Sequence, residues 1–332
     1  MKTAVIGAGS WGTALALVLA REGHEVALWA RGVEFTEQLR RERENRTYLP
    51  GTKLPDAIRP THNFEDCADA GIVLLVPPSV ALRSIVAQMA EVGFSLNSIL
   101  ASCTKGIEFD SGKRMTQIVS EYFPANPVAV LSGPSHAEEV ARQRPVCVVL
   151  GSEDHEVAVV LQKAISGCAF RAYTSDDVAG IELGGALKNI FAIAAGVSDG
   201  LGLGDNTKAA LVTRALAEMV RLGESLGGRR ETFQGLSGIG DLMVTCFSQL
   251  SRNRRFGERI ARGESLEQIA ASTKMIAEGV PTTRSAKKCA RQAGIETPII
   301  DEIFSIVHGS GRPAEAMRNL LARGPRPEAD VL

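Results

Sequence analysis

The stretch VIGAGSWGTALALVLA, Val5 to Ala20, supports two readings that lead to different proteins. With Lys2 before it and alanine at its end, it has the look of a secretory signal; it also spells G-x-G-x-x-G at Gly7, Gly9 and Gly12. A signal core is an uninterrupted apolar run of roughly 7–15 residues behind a basic stretch. Here the three glycines and Ser10 break the run, and Lys2 is a thin basic region, so the segment is expected to stay in the mature chain. The flanks favour the second reading. Thr3–Ile6 reads as a strand and Trp11–Glu22 as a helix stopped by Gly23, which places the glycines between them. In that context Gly7 permits a tight turn, Gly9 lets a pyrophosphate approach the backbone, and Gly12 lets helix and strand pack closely. The N–H groups at the helix start then hold the phosphates.

The rest of the first half repeats the alternation. Glu25–Ala30, Ile72–Val76, Ser98–Ser102, Val128–Leu131 and Val146–Leu150 read as strands; Pro77 and Pro78 halt the third strand of the chain, and Ser79 is placed to cap the next helix. Near-continuous apolar strands alternating with helices predict an α/β fold, a Rossmann-like doubly wound parallel sheet. From about Val178 the texture changes to helical spacing, over 178–197, 207–226, 255–271, 282–293 and 313–322, so the C-terminal domain is expected to be all-helical. The organisation expected is a dinucleotide-binding domain at 1–177, a helical substrate-binding domain at 178–322, and a disordered tail at 323–332.

At 332 residues the chain has room for two domains and sizeable cores. A net charge of −1 gives no general reason to expect nucleic acid or a membrane surface as partner, so an acidic ligand has to be held by a local cluster. The six cysteines are scattered without a C-x-x-C pair, which predicts reduced thiols and a cytoplasmic protein. The five histidines form no metal-ligand spacing, so no metal is expected. Beyond residue 20 no apolar run reads as approaching the ~18 residues needed to cross a bilayer.

Several charged residues stand out against this background. The acidic residue expected roughly 20 residues after the glycines for an NAD ribose is missing; Arg31 stands there and suits the 2′-phosphate of NADP, or else is a solvated surface arginine. Lys188, in IELGGALKNIFAIAAG, interrupts an almost wholly apolar helix and has no carboxylate at helical spacing, which points to function. Gly184, Gly185 and Ala186 before it leave room for a cofactor or another backbone. Lys105 follows a strand at the ligand-binding edge of the sheet, or is a surface lysine. Gly133, Pro134 and Ser135 turn a strand into a helix, either to hold a ligand or as an ordinary helix start; His136 reads as a local hydrogen-bonder. Asp241 is an N-cap or a site residue. Arg252, Arg254 and Arg255 around Asn253 form an anion site or a solvated helix start, too short and too poor in aromatics for nucleic acid.

Taken together, GAGSWGTALA, TKGIE, SGPSHAEEV, ELGGALKNIFAIAAGVSDGLGLGDNTKAALVTR, GIGDLMVTC, SRNRRFG and EGVPTT resemble NAD(P)-dependent glycerol-3-phosphate dehydrogenase of the bacterial type, in order from about residue 3 to 320. The resemblance implies a cytoplasmic enzyme that reduces dihydroxyacetone phosphate to sn-glycerol 3-phosphate for phospholipid synthesis, with NADP(H) or NAD(H) and no metal. It implies Lys188 as the catalytic proton donor or acceptor, Lys105 as a second active-site lysine, and Asp241 as the group that orients the lysine or a substrate hydroxyl. Substrate contacts are implied at Lys105, Gly133, Ser135, Lys188, Asn189, Asp241, Thr245, Ser251, Arg252 and Asn253. Cofactor contacts are implied at Gly7, Gly9, Ser10, Trp11, Gly12, Arg31, Tyr48, Lys105, Ala137, Arg252, Ile276 and Glu278. The expected partners are the small-molecule substrate and a second copy in a homodimer, with no nucleic acid and no membrane insertion. Similar bacterial chains often carry a second basic residue after the arginine, where this chain has Gly32. The rival expectations are a related β-hydroxyacid dehydrogenase, with the same layout but a carboxylate substrate, and a non-catalytic NAD(P)-binding regulator.

Overall fold

The computed structural model describes residues 1–272, 277–324 and 327–328. Ile276, one of the expected cofactor contacts, lies outside the described residues, as do 325–326 and 329–332 of the expected tail. Of the tail's described residues, Arg323 pairs with Glu296 and Glu328 with Arg214. The chain divides into two compact units, Met1–Thr104 with Met115–Val178, and Lys105–Arg114 with Ala179–Leu332.

The first unit is built on eight strands, β1 (Lys2–Ile6), β2 (Glu25–Trp29), β3 (Ile58–Thr61), β4 (Ile72–Leu75), β5 (Ile99–Ser102), β6 (Val128–Ser132), β7 (Val146–Gly151) and β8 (Phe170–Ser175). They lie in the order β3-β2-β1-β4-β5-β6-β7-β8. The sheet is buried on both faces because alternate residues of one strand feed different cores. Val5 and Leu74 join one apolar cluster, Ala4, Ile6, Val73 and Leu75 the other. That arrangement is why the strands read as continuous apolar runs.

The sheet is mostly parallel, but β7 runs antiparallel to β6, pairing Leu131 with Leu150. Two strands escaped the sequence reading, and both sit at sheet edges. β3 carries Arg59 and Pro60, and proline is tolerated only where a ladder donor is not needed; β8 alternates buried and exposed residues at its start. Six helices cover this unit: α1 (Ser10–Arg21), α2 (Val33–Glu42), α3 (Leu82–Val92), α4 (Met115–Tyr122), α5 (Ala137–Ala141) and α6 (His155–Ile165). Ser79 does not cap a helix as expected. It opens a 3-10 turn, Ser79–Ala81, and α3 starts at Leu82 without a side-chain cap.

The second unit is helical: α7 (Val178–Gly200), α8 (Gly204–Ser225), α9 (Arg230–Phe233), α10 (Asp241–Phe247), α11 (Arg252–Ala261), α12 (Leu266–Ala271), α13 (Gly279–Ala293), α14 (Pro298–His308) and α15 (Pro313–Leu321). The expected helix at 255–271 is two helices, broken after Ala261. The unforeseen α14 is rich in isoleucine, whose branched Cβ weakens the helix signal. α7 also corrects the expectation about apolar runs. Its 23 residues are long and apolar enough to cross a membrane by length and composition, although Glu182 and Lys188 interrupt the run. Here it is the core of the unit, with 94% of its most apolar window buried. All six cysteines are free thiols, with Cys67, Cys103, Cys246 and Cys289 buried.

Candidate active site

In the first unit the order of strands reverses at β1, which lies between β2 and β4, and the glycine turn leaves the carboxyl end of that strand. Gly7 has a φ of +120°, and a Cβ there would meet the Val76 carbonyl oxygen at 2.8 Å, so the turn is pressed onto the end of β4. A Cβ on Gly12 would fall 1.8 Å from the Gly7 carbonyl oxygen. The fold itself therefore requires these two glycines. A Cβ on Gly9 would meet no atom within 4 Å, so packing does not require this glycine and the space beside it is open. α1 begins at Ser10 with no side-chain cap, beside that space. Ser10 is buried, and Trp11 packs in part against the core. These residues fit a dinucleotide whose phosphates meet the helix start.

A residue outside the sequence-based site holds this turn in shape. Asn45 is fully buried, and its amide donates to the Ala8 carbonyl at 2.9 Å and to Thr13 Oγ1 at 2.8 Å. Its Oδ1 accepts the Tyr48 backbone N–H at 3.1 Å, so one side chain ties the glycine turn to the segment carrying Tyr48. Tyr48 is half-buried and packs edge-on against Phe35. Arg31 follows β2 and is exposed, with no hydrogen bond or ion pair among the described residues. Gly32 has a φ of +92°, a conformation that disfavours any side chain, so a second basic residue would strain this loop. Further along, the Arg21 guanidinium donates to the Val140 and Ala141 carbonyls and so caps the end of α5, whose first residue is Ala137. Gly133 is buried, and the Ser135 hydroxyl donates back to its carbonyl at 3.0 Å. α5 has five residues and begins after His136 with no side-chain cap on its first turn.

The second unit brings together three charged groups from three parts of the chain. Lys188 on α7 donates to Asp241 Oδ1 at 2.7 Å and to Thr245 Oγ1 at 2.6 Å. Lys105 donates to the other oxygen, Asp241 Oδ2, at 2.6 Å. Lys188 is 7% exposed and Asp241 1%. Burial pushes the Lys188 ammonium down to about 8; the Asp241 carboxylate opposes this, and Lys105 adds to it by repulsion. Burial alone would raise the Asp241 carboxyl, but the two lysines outweigh it and hold it below its ordinary value. Asp241 opens α10, yet Gly240 is the N-cap residue and the carboxylate serves the lysines. The glycines before Lys188 make room for another backbone. A Cβ on Gly184 would meet the Ser237 carbonyl oxygen at 2.5 Å, so the π-helical turn Leu236–Gly240 that delivers Asp241 lies directly on α7.

Two expected substrate contacts are engaged in packing. Asn253 donates to Asn189 Oδ1 at 2.8 Å and accepts the Gly279 N–H at 2.9 Å, which joins α7, α11 and the start of α13. Asn189 in turn donates to the Gly185 carbonyl at 3.3 Å. The Ser251 hydroxyl caps α11 by accepting the Arg254 N–H. The arginine cluster separates by role. Arg254 pairs with Asp199 at 2.5 Å, whereas Arg252 and Arg255 are exposed. Glu278 precedes α13 and is half-buried. Among the described residues no group of three His, Cys, Asp or Glu side chains could hold a metal ion.

A Rossmann-type sheet with its glycine turn, in a chain that also holds a buried lysine whose ammonium is lowered to about 8, suits a nicotinamide-dependent dehydrogenase. The sequence profile of NAD-dependent glycerol-3-phosphate dehydrogenase matches the chain, its N-terminal part over residues 2–158 and its C-terminal part over 177–318, and the chain belongs to this family. It is 46% identical over 333 residues to glycerol-3-phosphate dehydrogenase [NAD(P)+] of Chlorobium limicola, covering 99% of each chain. The enzyme of the same name from Moorella thermoacetica is 48% identical over 324 residues, covering 97% of this chain and 96% of that one. The crystal structure of glycerol-3-phosphate dehydrogenase from Coxiella burnetii superposes with a TM-score of 0.94 at 37% identity, over 97% of this chain and 99% of that one. Neither a hydroxyacid dehydrogenase nor a non-catalytic regulator is favoured.

Proposed function

We propose that this chain reduces dihydroxyacetone phosphate to sn-glycerol 3-phosphate and catalyses the reverse oxidation. When bound, the nicotinamide nucleotide supplies or accepts the hydride at C2. The carrying observation is the set of buried Lys188 and Asp241 with half-buried Lys105, within a chain of this family. With both lysines protonated the three groups sum to +1, which suits the negative charge that develops on the C2 oxygen during reduction. Lys188 holds the proton destined for that oxygen and, when neutral, takes the hydroxyl proton in oxidation. Asp241 fixes its direction; burial brings its affinity for protons down toward the working range, and repulsion from Lys105 adds to that. Arg252, at the start of α11 beside the Ser251 cap, binds the substrate phosphate through its paired N–H donors. Asn189 and Asn253 support that site by holding α11 against α7.

Arg31, exposed and without a hydrogen bond or ion pair among the described residues, supports acceptance of NADP(H), through the 2′-phosphate. A cytoplasmic homodimer that feeds glycerophospholipid synthesis completes the proposal on family grounds, and sedimentation velocity measures the assembly. The experiment that tests the reading follows the loss of reduced-nicotinamide absorbance with dihydroxyacetone phosphate, offering NADPH and NADH in turn. Lys188→Ala is expected to abolish turnover while nucleotide binding, read by fluorescence titration, persists. Near-normal turnover in that variant would overturn the assignment.

A further inference from the structure

The segment Lys105–Arg114 lies in sequence between β5 and α4, yet it belongs to the helical unit. It folds on itself as a hairpin. Ile107 and Arg114 form an antiparallel bridge, the Glu108 N–H donates to the Lys113 carbonyl at 3.0 Å, and the Gly112 N–H donates to the Glu108 carbonyl at 2.9 Å. Several attachments pin this hairpin to the helices. Arg114 pairs with Glu182 of α7, whose side chain is 2% exposed. The Phe109 ring lies under the Arg284 guanidinium, 3.9 Å from the ring centroid, with the Lys288 ammonium 5.1 Å away. Lys288 also donates to the carbonyls of Phe109 and Asp110 at 3.0 and 2.8 Å. Ile107 is buried in the core of the unit.

A buried ion pair is a poor source of stability, because desolvating two charges offsets their attraction; in some proteins what it supplies instead is a fixed geometry. Here the geometry it fixes ends at Lys105, whose ammonium must reach Asp241. We infer that this hairpin is a brace for Lys105, and that Arg114, Glu182 and Phe109 are positioning residues acting on the reaction through the charge of Lys105. The inference rests on Lys188 as the proton-transfer group. The charged and titratable groups facing Lys188 are Lys105 on the brace and Asp241 and Cys246 on α10. Burial holds the Cys246 thiol up at about 12, so it stays neutral. Loosening the brace therefore acts on Lys188 through Lys105, by weakening its repulsion and by leaving more of the Asp241 carboxylate to Lys188, and both effects raise the affinity of Lys188 for its proton.

The test is kcat/KM against pH for oxidation of sn-glycerol 3-phosphate by the intact enzyme. Lys105→Ala is expected to move the rising limb upward by about one pH unit, so that the rate below the limb falls roughly tenfold. Phe109→Ala and Arg114→Ala move it in the same direction, and Arg114→Lys restores it. In the double variant Lys105→Ala/Phe109→Ala the limb moves no further than in Lys105→Ala alone, since the charge being positioned is already gone. Should Arg114→Ala fail to fold, with Glu182 left buried and unpaired, Phe109→Ala carries the test by removing only a ring contact. The brace is refuted by a limb that stays in place in Phe109→Ala while that of Lys105→Ala moves, or by additive shifts in the double variant. An active Lys188→Ala would instead refute the proton-transfer reading beneath it.

Discussion

An ammonium that shares one buried carboxylate with a second ammonium titrates according to its neighbours as much as its own chemistry. With Lys188 lowered to about 8, the two directions of reaction acquire opposite pH dependence. Oxidation needs the neutral amine, so its kcat/KM climbs as pH rises through about 8. Reduction needs the ammonium and declines over the same range. Asp241→Asn removes the charge that raises Lys188, so the oxidation limb moves down in pH. Leaving the buried Lys188 ammonium without its counter-charge also costs about 3–5 kcal/mol of stability. pH–rate profiles and thermal melts check both, and an unmoved limb would separate Asp241 from Lys188. The parts of this cluster differ in how visible they were in the sequence. Lys188 stood out because a lone cation in an apolar helix has no local explanation. Lys105 and Asp241 remained ambiguous because their partnership spans 136 residues of chain and follows no local spacing. Asn45 gave no signal at all, since a buried amide in a polar loop looks like any other turn residue.

The elements show the same division between local pattern and tertiary context. α1, β1 and the turn between them followed from composition, because two of the three glycines answer to contacts only a few residues away or across one strand. β3 and β8 were missed because edge strands are not buried on both faces and so lack the continuous apolar run. The reversal of β7 was invisible because strand direction is a property of pairing. The loop carrying Asn45 and Tyr48 is tied directly to the glycine turn and to α1. Asn45→Ala breaks three hydrogen bonds, one to the turn at Ala8, one to Thr13 on α1 and one to the Tyr48 backbone. With each worth about 1 kcal/mol net, part of the loss falls on folding and part on the ligand-ready shape of the turn. The expected outcome is a KM for the nucleotide raised about tenfold, with kcat much less altered. Steady-state kinetics with varied nucleotide measure this, and an unchanged KM would show that the glycine turn holds its shape unaided.

At the scale of the whole molecule, a second buried carboxylate links stability to pH independently of catalysis. Glu218 on α8 is 1% exposed and accepts the N–H groups of Ile299 and Ile300 at 3.0 and 2.9 Å, which fastens the start of α14. Burial pushes its carboxyl up to about 7, against the two N–H groups and Arg221, which favour the ionised form, and with Asp301 adding to the rise. The ordinary value is 4.5, so between about 4.5 and about 7 the folded state binds a proton that the unfolded chain has released. The stability this group contributes is therefore full below about 4.5 and is lost as pH rises through about 7. The loss amounts to roughly 3 kcal/mol between those limits, other groups being equal. Glu218→Gln cannot titrate, so the difference in unfolding free energy between wild type and variant should shrink, or change sign, as pH increases. Denaturant titrations at about pH 5 and about pH 8 measure that difference. Because Glu218 lies outside the lysine–aspartate cluster, the variant should leave the pH profile of kcat/KM in place wherever it remains folded. A constant difference across the two pH values would mean that α14 holds Glu218 in one protonation state throughout.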